Sequence, residues 1–454
     1  MGAAPTRRAR VRILGLLAAL GAAGPAAAGT DLLNLTRDAL LNDPTYAAAR
    51  FAQLASAEAE PQARANLLPN LSASISETAN RIDYRTPVFN PVDNPNVQET
   101  FNAWGPSLNL TVPVFNAQYW ESLTQAKLAV KQSEAQLAQA RLDLLVRVAQ
   151  AYFDVLSSED ALAALRENKK AVSEQLAQAK REFEVGTKTI VDTHEAKARY
   201  DQIDAQEQVA RGDLAIKQSA LRAIIGHDAG QIMPLRDPVE LVPPQPNDVE
   251  TWARSAETAS YPVQAARAGS EIAHYEVKRA RDAYLPTVNI TGNVTYQKSD
   301  HGNIYLNGSD AQTNSTLGIT LTVPVFTGGS TQSRVREAHA REDKADQDLE
   351  LARRTAGQAA RQAYTGVDYG LAQVQALESA EVSAKTQLES TRLGYHVGVR
   401  INLDVLNANT QLFNTQRDLK KARYDFLVNG LKLKAAAGSL SDGDIETVNA
   451  LLVR

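Results

Sequence analysis

With 454 residues, the chain exceeds what one ordinary soluble core holds, so two or three units or an elongated body are expected. Hydrophobic residues make up 44% but aromatics only 6%, and the apolar content leans on Ala and Leu among many Gln, Glu, Lys and Arg, a long-helix profile. The lack of cysteine excludes disulfides, thiolate nucleophiles, cysteine zinc sites and lipid attachment through cysteine; 48 basic against 52 acidic residues leave no basic excess for binding nucleic acid.

At the N-terminus, Arg7, Arg8, Arg10 and Arg12 precede the apolar run ILGLLAALGAAG, then Pro25 and three alanines. That pattern predicts a secretory signal peptide over 1–28, cleaved after Ala28. Cleavage removes four arginines and no acid, so 44 basic against 52 acidic residues remain, a net charge near −8. No apolar run of ~18 residues follows, so no membrane-spanning helix is expected; an exported chain of this kind is periplasmic, secreted or an outer-membrane β-barrel.

The rest divides into two copies of one unit. EVGTKTIVD at 184–192 returns as HVGVRINLD at 396–404, 212 residues later. Pro44, Pro69 and LNLTVPVF at 108–115 likewise return as Pro262, Pro286 and ITLTVPVF at 319–326. The expected layout is a first repeat at 29–226, a Pro-rich linker or equatorial belt at 227–248, a second repeat at 249–438 and a tail at 439–454.

Each repeat opens on a helical segment (31–66 and 249–284) that carries a proline partway along, where a helix starts or kinks. Strands with period 2 follow: Leu71, Ala73 and Ile75 alternate with serines, and Val288, Ile290 and Val294 with Asn and Thr. Turn-rich loops are expected at about 80–105 and 298–314, then second strands through Leu108, Leu110, Val112 and Val114, or Leu317, Ile319, Leu321 and Val323. From Ala117 to Val185 there is neither Gly nor Pro, which predicts one helix on the order of 100 Å long. Leu128, Ala135, Leu142, Ala149 and Leu156 recur every seven residues, and so do Leu123, Val130, Leu137, Leu144 and Ala151, so this helix packs on two sides. The Val-Gly pair ends it and a second helix returns over about 191–225; the second repeat matches at roughly 330–396 and 403–437. EVGTKTIVD therefore marks a hairpin tip at the end farthest from the strands. Four strands with one apolar and one hydroxyl or amide face cannot close a membrane barrel alone, so copies must pool them.

The order helix, hairpin, long helix, tip and helix, twice over, with LLPNLS, LTVPVF, VGTKTIVD, LPTVNIT, LTVPVFTGG and ARYDFLVNGLKLKAAAGSL, resembles the TolC family of outer-membrane efflux and secretion channels across nearly the whole mature chain. The resemblance implies a mainly α fold with a membrane β part: a homotrimer whose 12-stranded β-barrel, set in outer-membrane lipid, continues into a periplasmic α-barrel. It implies an exit duct that docks to a periplasmic adaptor (membrane fusion protein) and an inner-membrane RND pump or ABC exporter, for multidrug efflux, type I protein secretion or both. It implies no catalysis, cofactor, metal or nucleic acid.

By the same resemblance the duct is gated at the tips by Asp192, Tyr395, Arg400 and Asp404, with Asp192 bonding Tyr395 and Arg400 across neighbouring hairpins. Val185, Gly186, Val397 and Gly398 become the adaptor contacts, although a glycine past a helix end is explained by structure alone. Two departures from the family pattern stand out. Val191 replaces the Thr expected before the first-tip Asp, and Asn407 replaces a second acid three residues after Asp404, which implies weaker cation selectivity. Asp192 with His194 and Glu195 reads as solvated helix surface rather than a metal site, and TGGSTQ after Phe326 lacks the lysine of a phosphate loop. The rival reading is a periplasmic coiled-coil scaffold that does not conduct.

Overall fold

A computed structural model describes residues 29–84, 97–187, 189–300 and 311–453; the expected signal peptide at 1–28 lies outside them. Asp31 caps α1 (Leu32–Asn42) by accepting from the amide of Asn34 at 2.8 Å. Asp43 caps α2 (Pro44–Ala57), which begins on the proline whose missing N–H costs nothing in a first turn, and α3 (Ala59–Ala65) follows. β1 (Asn70–Tyr84) and β2 (Val97–Phe115) form the first hairpin, and Asn116 caps α4 (Ala117–Glu184), a single helix of 68 residues. α5 (Ile190–Ile225) returns and ends on Gly226 in the left-handed region. The second half repeats the order as α6 (Val249–Ala259), α7 (Tyr261–Asp282), β3 (Thr287–Ser299), β4 (Ala311–Thr322), α8 (Ser330–His396) and α9 (Asn402–Ala436); α10 (Asp442–Asn449) is added at the end.

The four strands form one antiparallel sheet in the order β1-β2-β3-β4. Its register separates two faces. Leu71, Leu110, Gly292 and Leu317 make one cross-strand row, and Val112, Ile290 and Ile319 another, whereas Ser72, Asn109, Asn293 and Thr316 form a row of the opposite face. On that second face Ser74 Oγ lies 2.8 Å from Ser107 Oγ, and Asn293 Nδ2 donates to Asn109 Oδ1 at 2.6 Å. Trp104 meets Tyr296 edge-on at 6.3 Å, where the apolar band ends.

The strands outrun their sequence signal. β1 continues to Tyr84 and β2 begins at Val97, so part of the span expected as loop at 80–105 is paired strand, and β4 begins at Ala311 inside the second expected loop. Backbone pairing continues past the apolar band, where Glu77 and Arg81 occupy positions that hydrophobic residues fill lower down, so alternation fades while the ladder persists. The remainder of both expected loops, 85–96 and 301–310, lies outside the described residues.

The main core forms a waist. Leu32 and Leu35 of α1, Leu144, Val148, Tyr152 and Phe153 of α4, Phe426 and Leu431 of α9 and Ile445 of α10 are buried together. One seven-residue stripe of α4, Leu128 through Leu156, is buried throughout; of the other, Leu144 is buried and Leu123, Val130, Leu137 and Ala151 are half-buried. The segment after α5 is irregular, as its prolines require, and is tied in over 232–235: Thr30 bridges Ile232, Leu235 bridges Leu452, and the Tyr152 hydroxyl donates to Met233 O at 2.6 Å. Below the waist, α4 and α5 form one helical hairpin, α8 and α9 a second, and α4 packs on α9 to join them.

Candidate gate at the hairpin tips

Both tips end the long helix in the same way. The amide of Thr187 donates to Glu182 O and that of Gly186 to Phe183 O, each at 2.9 Å; Val399 and Gly398 repeat the pair on Gly394 O and Tyr395 O. This pair of hydrogen bonds requires the left-handed region at the residue after the cap, and Gly186 and Gly398 sit there at φ 76° and 81°. The turn leaves the preceding valines outside: Val185 is 73% and Val397 65% exposed, with Val191, Val399 and Ile401 exposed beside them.

The acids serve the new helix starts. Asp192 Oδ2 accepts from the amide of Thr189 at 3.3 Å and from its hydroxyl at 3.1 Å, which fixes the first turn of α5. Ile401 has no side-chain oxygen or hydroxyl, so Asp404 receives only the Ile401 amide, at 3.4 Å, and the Arg400 guanidinium lies 3.7 Å away. Arg400 lies over Gly394, where an added Cβ would come within 2.8 Å of Arg400 Cγ. A polar cavity of about 420 Å³ opens beside Arg400, Asp404 and Asn407.

Tyr395 is 6% exposed and packs with Leu388, Val405 and Ala408. Its hydroxyl donates to Glu182 Oε2 at 2.7 Å, so within one chain the acceptor is Glu182 and not the expected Asp192. The reason is geometric: the Asp192 carboxylate is turned back onto its own helix start, whereas Glu182 lies in the last turn of α4, level with the last turn of α8. Burial first, and then Glu182, push the phenol above its ordinary value and keep it a donor. Sequence reasoning also missed Asn402, fully buried, which accepts from Gln175 Nε2 at 2.6 Å and donates to Asp192 O at 3.3 Å. Asn168 and Asn409 form a buried pair at 2.9 Å above it. Their signal in the sequence is the seven-residue spacing of Asn168, Gln175 and Glu182.

Among the described residues no helix is long and apolar enough to cross a membrane, and no three His, Cys, Asp or Glu side chains cluster as metal ligands. A barrel sheet and helical hairpins closed at glycine tips are instead the parts of a duct. The Campylobacter jejuni CmeC outer membrane channel superposes with a TM-score of 0.77 at 19% identity, covering 93% of this chain and 89% of that one. The Vibrio cholerae outer membrane protein VceC gives 0.74 at 21% identity, covering 90% and 96%. In sequence, the chain is 30% identical to outer membrane protein TolC of Vibrio cholerae serotype O1 across 95% of this chain and 96% of that protein. It is 29% identical to the alkaline protease secretion protein AprF of Pseudomonas aeruginosa across 91% and 86%. The profile of the family described as outer membrane efflux protein matches residues 35–227 and 252–439, the two repeats on either side of the linker; the chain belongs to that family of outer-membrane channel proteins.

Proposed function

We propose that this outer-membrane exit duct works as a homotrimer, coupled through a periplasmic adaptor to an inner-membrane RND pump or ABC exporter and shut at its hairpin tips. The observation that carries the trimer is the sheet. Among the described residues its edge strands are β1 and β4, and it has two faces of opposite character: Leu317 and Ile319 are 79% and 74% exposed on one, while Ser, Asn and Thr line the other. Four strands leave a barrel open, and three copies pairing β4 of one with β1 of the next supply twelve. The outer helices fit the same packing. α5 presents exposed Val209 and Ile216, and α8 exposed Tyr369 and Val382, which are unpaired apolar faces for a neighbouring copy.

Asp192, Tyr395, Arg400 and Asp404 then gather three times around one mouth as the gate, with Arg400 free to reach Asp192 of a neighbouring copy. Val185, Gly186, Val397 and Gly398 face outward as the adaptor contact. A non-conducting periplasmic scaffold would leave the lipid-like face of the sheet without a role. The test is extraction of the full chain from outer membranes: a trimer that conducts ions in a planar bilayer supports the duct, and a soluble, non-conducting species ends it. Deleting the protein and assaying both drug susceptibility and secreted polypeptides identifies the cargo, since AprF is named for protease secretion and the related BepC of Brucella suis for efflux.

A further inference from the structure

A recess of about 840 Å³ lies between α4 and α8, where α9 ends and α7 begins. That size falls within the ~300–1,000 Å³ of small-molecule pockets. Asp143, Arg147, Gln150 and Asp154 give it one stripe of α4, on the face opposite Leu145, Ala149, Tyr152 and Leu156 of the waist core. The recess therefore lies on the side of α4 away from α1 and α10. Val146, Ile224, Leu351, Ala352, Ala356 and Ala435 make its surface largely apolar. Its residues belong to one chain and are distinct from Val209, Ile216, Tyr369 and Val382, the apolar positions that suit a neighbouring copy.

The polar atoms of this recess are unevenly matched. Ser260 is 2% exposed and precedes α7 without capping it, and its Oγ meets no partner among the described residues. Arg147 Nε is likewise buried and unmatched, while Nη2 of the same guanidinium is held by Asp43 at 2.8 Å. One turn along α4, Gln150 Oε1 accepts from Lys432 Nζ at 2.9 Å, so a cation rests against a neutral amide. The acceptors, by contrast, are provided for. Asp143 accepts from Gln139 at 2.8 Å, Asp154 from Gln150 at 2.8 Å and Lys217 at 3.3 Å, and Asp348 from Lys344 at 2.6 Å. At the end of α9 the carbonyls of Lys434 and Ala435 are taken by the amides of Ser439 and Gly438. A buried donor without an acceptor is costly, so the surplus of donors calls for an acceptor from outside the chain. From this surplus we propose that the recess binds a small anionic amphiphile, its acid group on Ser260, Arg147 and Lys432 and its apolar body on Leu351 and the alanines. Bilayer lipid is too distant to supply it, because Arg147 lies ~45 Å along α4 from the strands at 1.5 Å per residue. The ligand is cargo in transit, a statement that rests on the duct reading.

The purified full-length protein in lipid nanodiscs is titrated with the fluorescent probe 8-anilinonaphthalene-1-sulfonate and with N-phenyl-1-naphthylamine, the same body without the sulfonate. Empty nanodiscs serve as the blank. The sulfonate should saturate a site in each chain and bind about fivefold more tightly than the neutral probe. S260A and K432Q should each weaken the sulfonate about fivefold, the factor that corresponds to one net hydrogen bond of ~1 kcal/mol, and leave the neutral probe unchanged. A356F, which fills the recess, should abolish binding of both, with helical content as the folding check. Without ligand, S260A should melt no lower than wild type, because it removes a buried hydroxyl that has no partner. Equal affinity for the two probes, sulfonate binding unchanged in S260A and K432Q, full binding in A356F or a lower melting temperature in S260A each overturns the site. Planar-bilayer recording of the same protein separates this from the duct. A protein that conducts but fails the titrations leaves the duct standing, and one that binds as expected without conducting keeps the site and refutes the duct.

Discussion

Arg199 Nη2 donates to Oδ1 of Asn407 at 2.8 Å, which places a guanidinium of α5 beside the face of α9 that carries Asp404. Asn407 sits three residues after Asp404, on the next turn, and borders the same polar cavity. The charge at the proposed constriction is therefore mixed: Asp404 has Arg400 at 3.7 Å and Arg199 one residue removed. N407D alone would meet Arg199 as an ion pair, so the gain in cation selectivity expected from an added acid should be small in that variant. It should be large in the R199Q/N407D double variant. Reversal potentials in a salt gradient decide; equal selectivity in the single and double variants removes Arg199 from the account.

Arg400 lies on the tip with its side chain 60% exposed and loosely held by Asp404. In the gate reading its main role is to reach a neighbouring copy. R400S should then raise single-channel conductance severalfold while leaving the helical content of the protein unchanged, because an exposed pair of this kind adds only ~0–1 kcal/mol to the fold. A single-channel current equal to wild type would remove Arg400 from the gate.

Gly186 and Gly398 have open space where a Cβ would be added, so alanine there meets no neighbour and its cost is purely the left-handed backbone, about 1–2 kcal/mol. That cost should stay local. Hydrogen exchange at the Val399 amide should speed up about tenfold in G398A, as ~1.4 kcal/mol of local opening dictates, with little change at the waist. If the tips are the proposed adaptor contact, pull-down of a periplasmic adaptor should weaken in both glycine variants.

On the sheet, Leu317 and Thr316 are adjacent in β4 yet belong to opposite faces. L317R should lower the stability of the proposed trimeric barrel by ~2–4 kcal/mol, the cost of a cation at the depth of lipid. T316R should keep that stability and instead change conductance or ion preference. Heat-dissociation of the oligomer, measured for the two variants side by side, separates lipid face from lumen; equal loss in both would put both faces in one environment.

Glu207 on α5 is 3% exposed and takes a hydrogen bond from Lys169 at 2.9 Å, with Arg211 and Arg166 also against it. The Lys169 ammonium first, and then Arg211, draw its carboxyl from 4.5 down to about 2 against the opposing effect of burial. A depressed carboxylate stabilises the fold above its unfolded value, and that contribution is lost as pH falls from about 4.5 toward 2. E207Q should therefore lower Tm by a few degrees at neutral pH and flatten the acid limb of the stability profile in that window. A parallel acid limb in wild type and E207Q would assign the loss to other carboxylates.

Much of the architecture was legible because its signals are local. The Gly- and Pro-free run from Ala117 predicts α4 to within a residue of its end at Glu184, and the repeat places α8 and α9 just as closely. The strand extensions toward Tyr84 and from Val97 were not, since hydrogen-bond pairing beyond the apolar band has no period to read. Nor was α10, whose Ile445, with Leu452 just beyond its end, completes a core assembled from stretches far apart in sequence. At the tip, Tyr395, Arg400 and Asp404 do fall within one turn region. Glu182 and Asn402 stayed hidden because a partner across an antiparallel seam depends on register, which no single helix encodes. Three polar residues at seven-residue spacing in an otherwise apolar stripe were the available clue.

Because both ends of the described chain are stitched to the linker at the waist, through Thr30 with Ile232 and Leu235 with Leu452, the hairpins hang as cantilevers from a fixed collar. The free arm of α4 from Phe153 to Glu184 is ~45 Å long at 1.5 Å per residue, so a tilt of only ~10° at the collar sweeps the tip sideways by ~8 Å. Widening the proposed mouth thus asks for little rearrangement of the core at the waist, and the displacement falls on the helical hairpins below it.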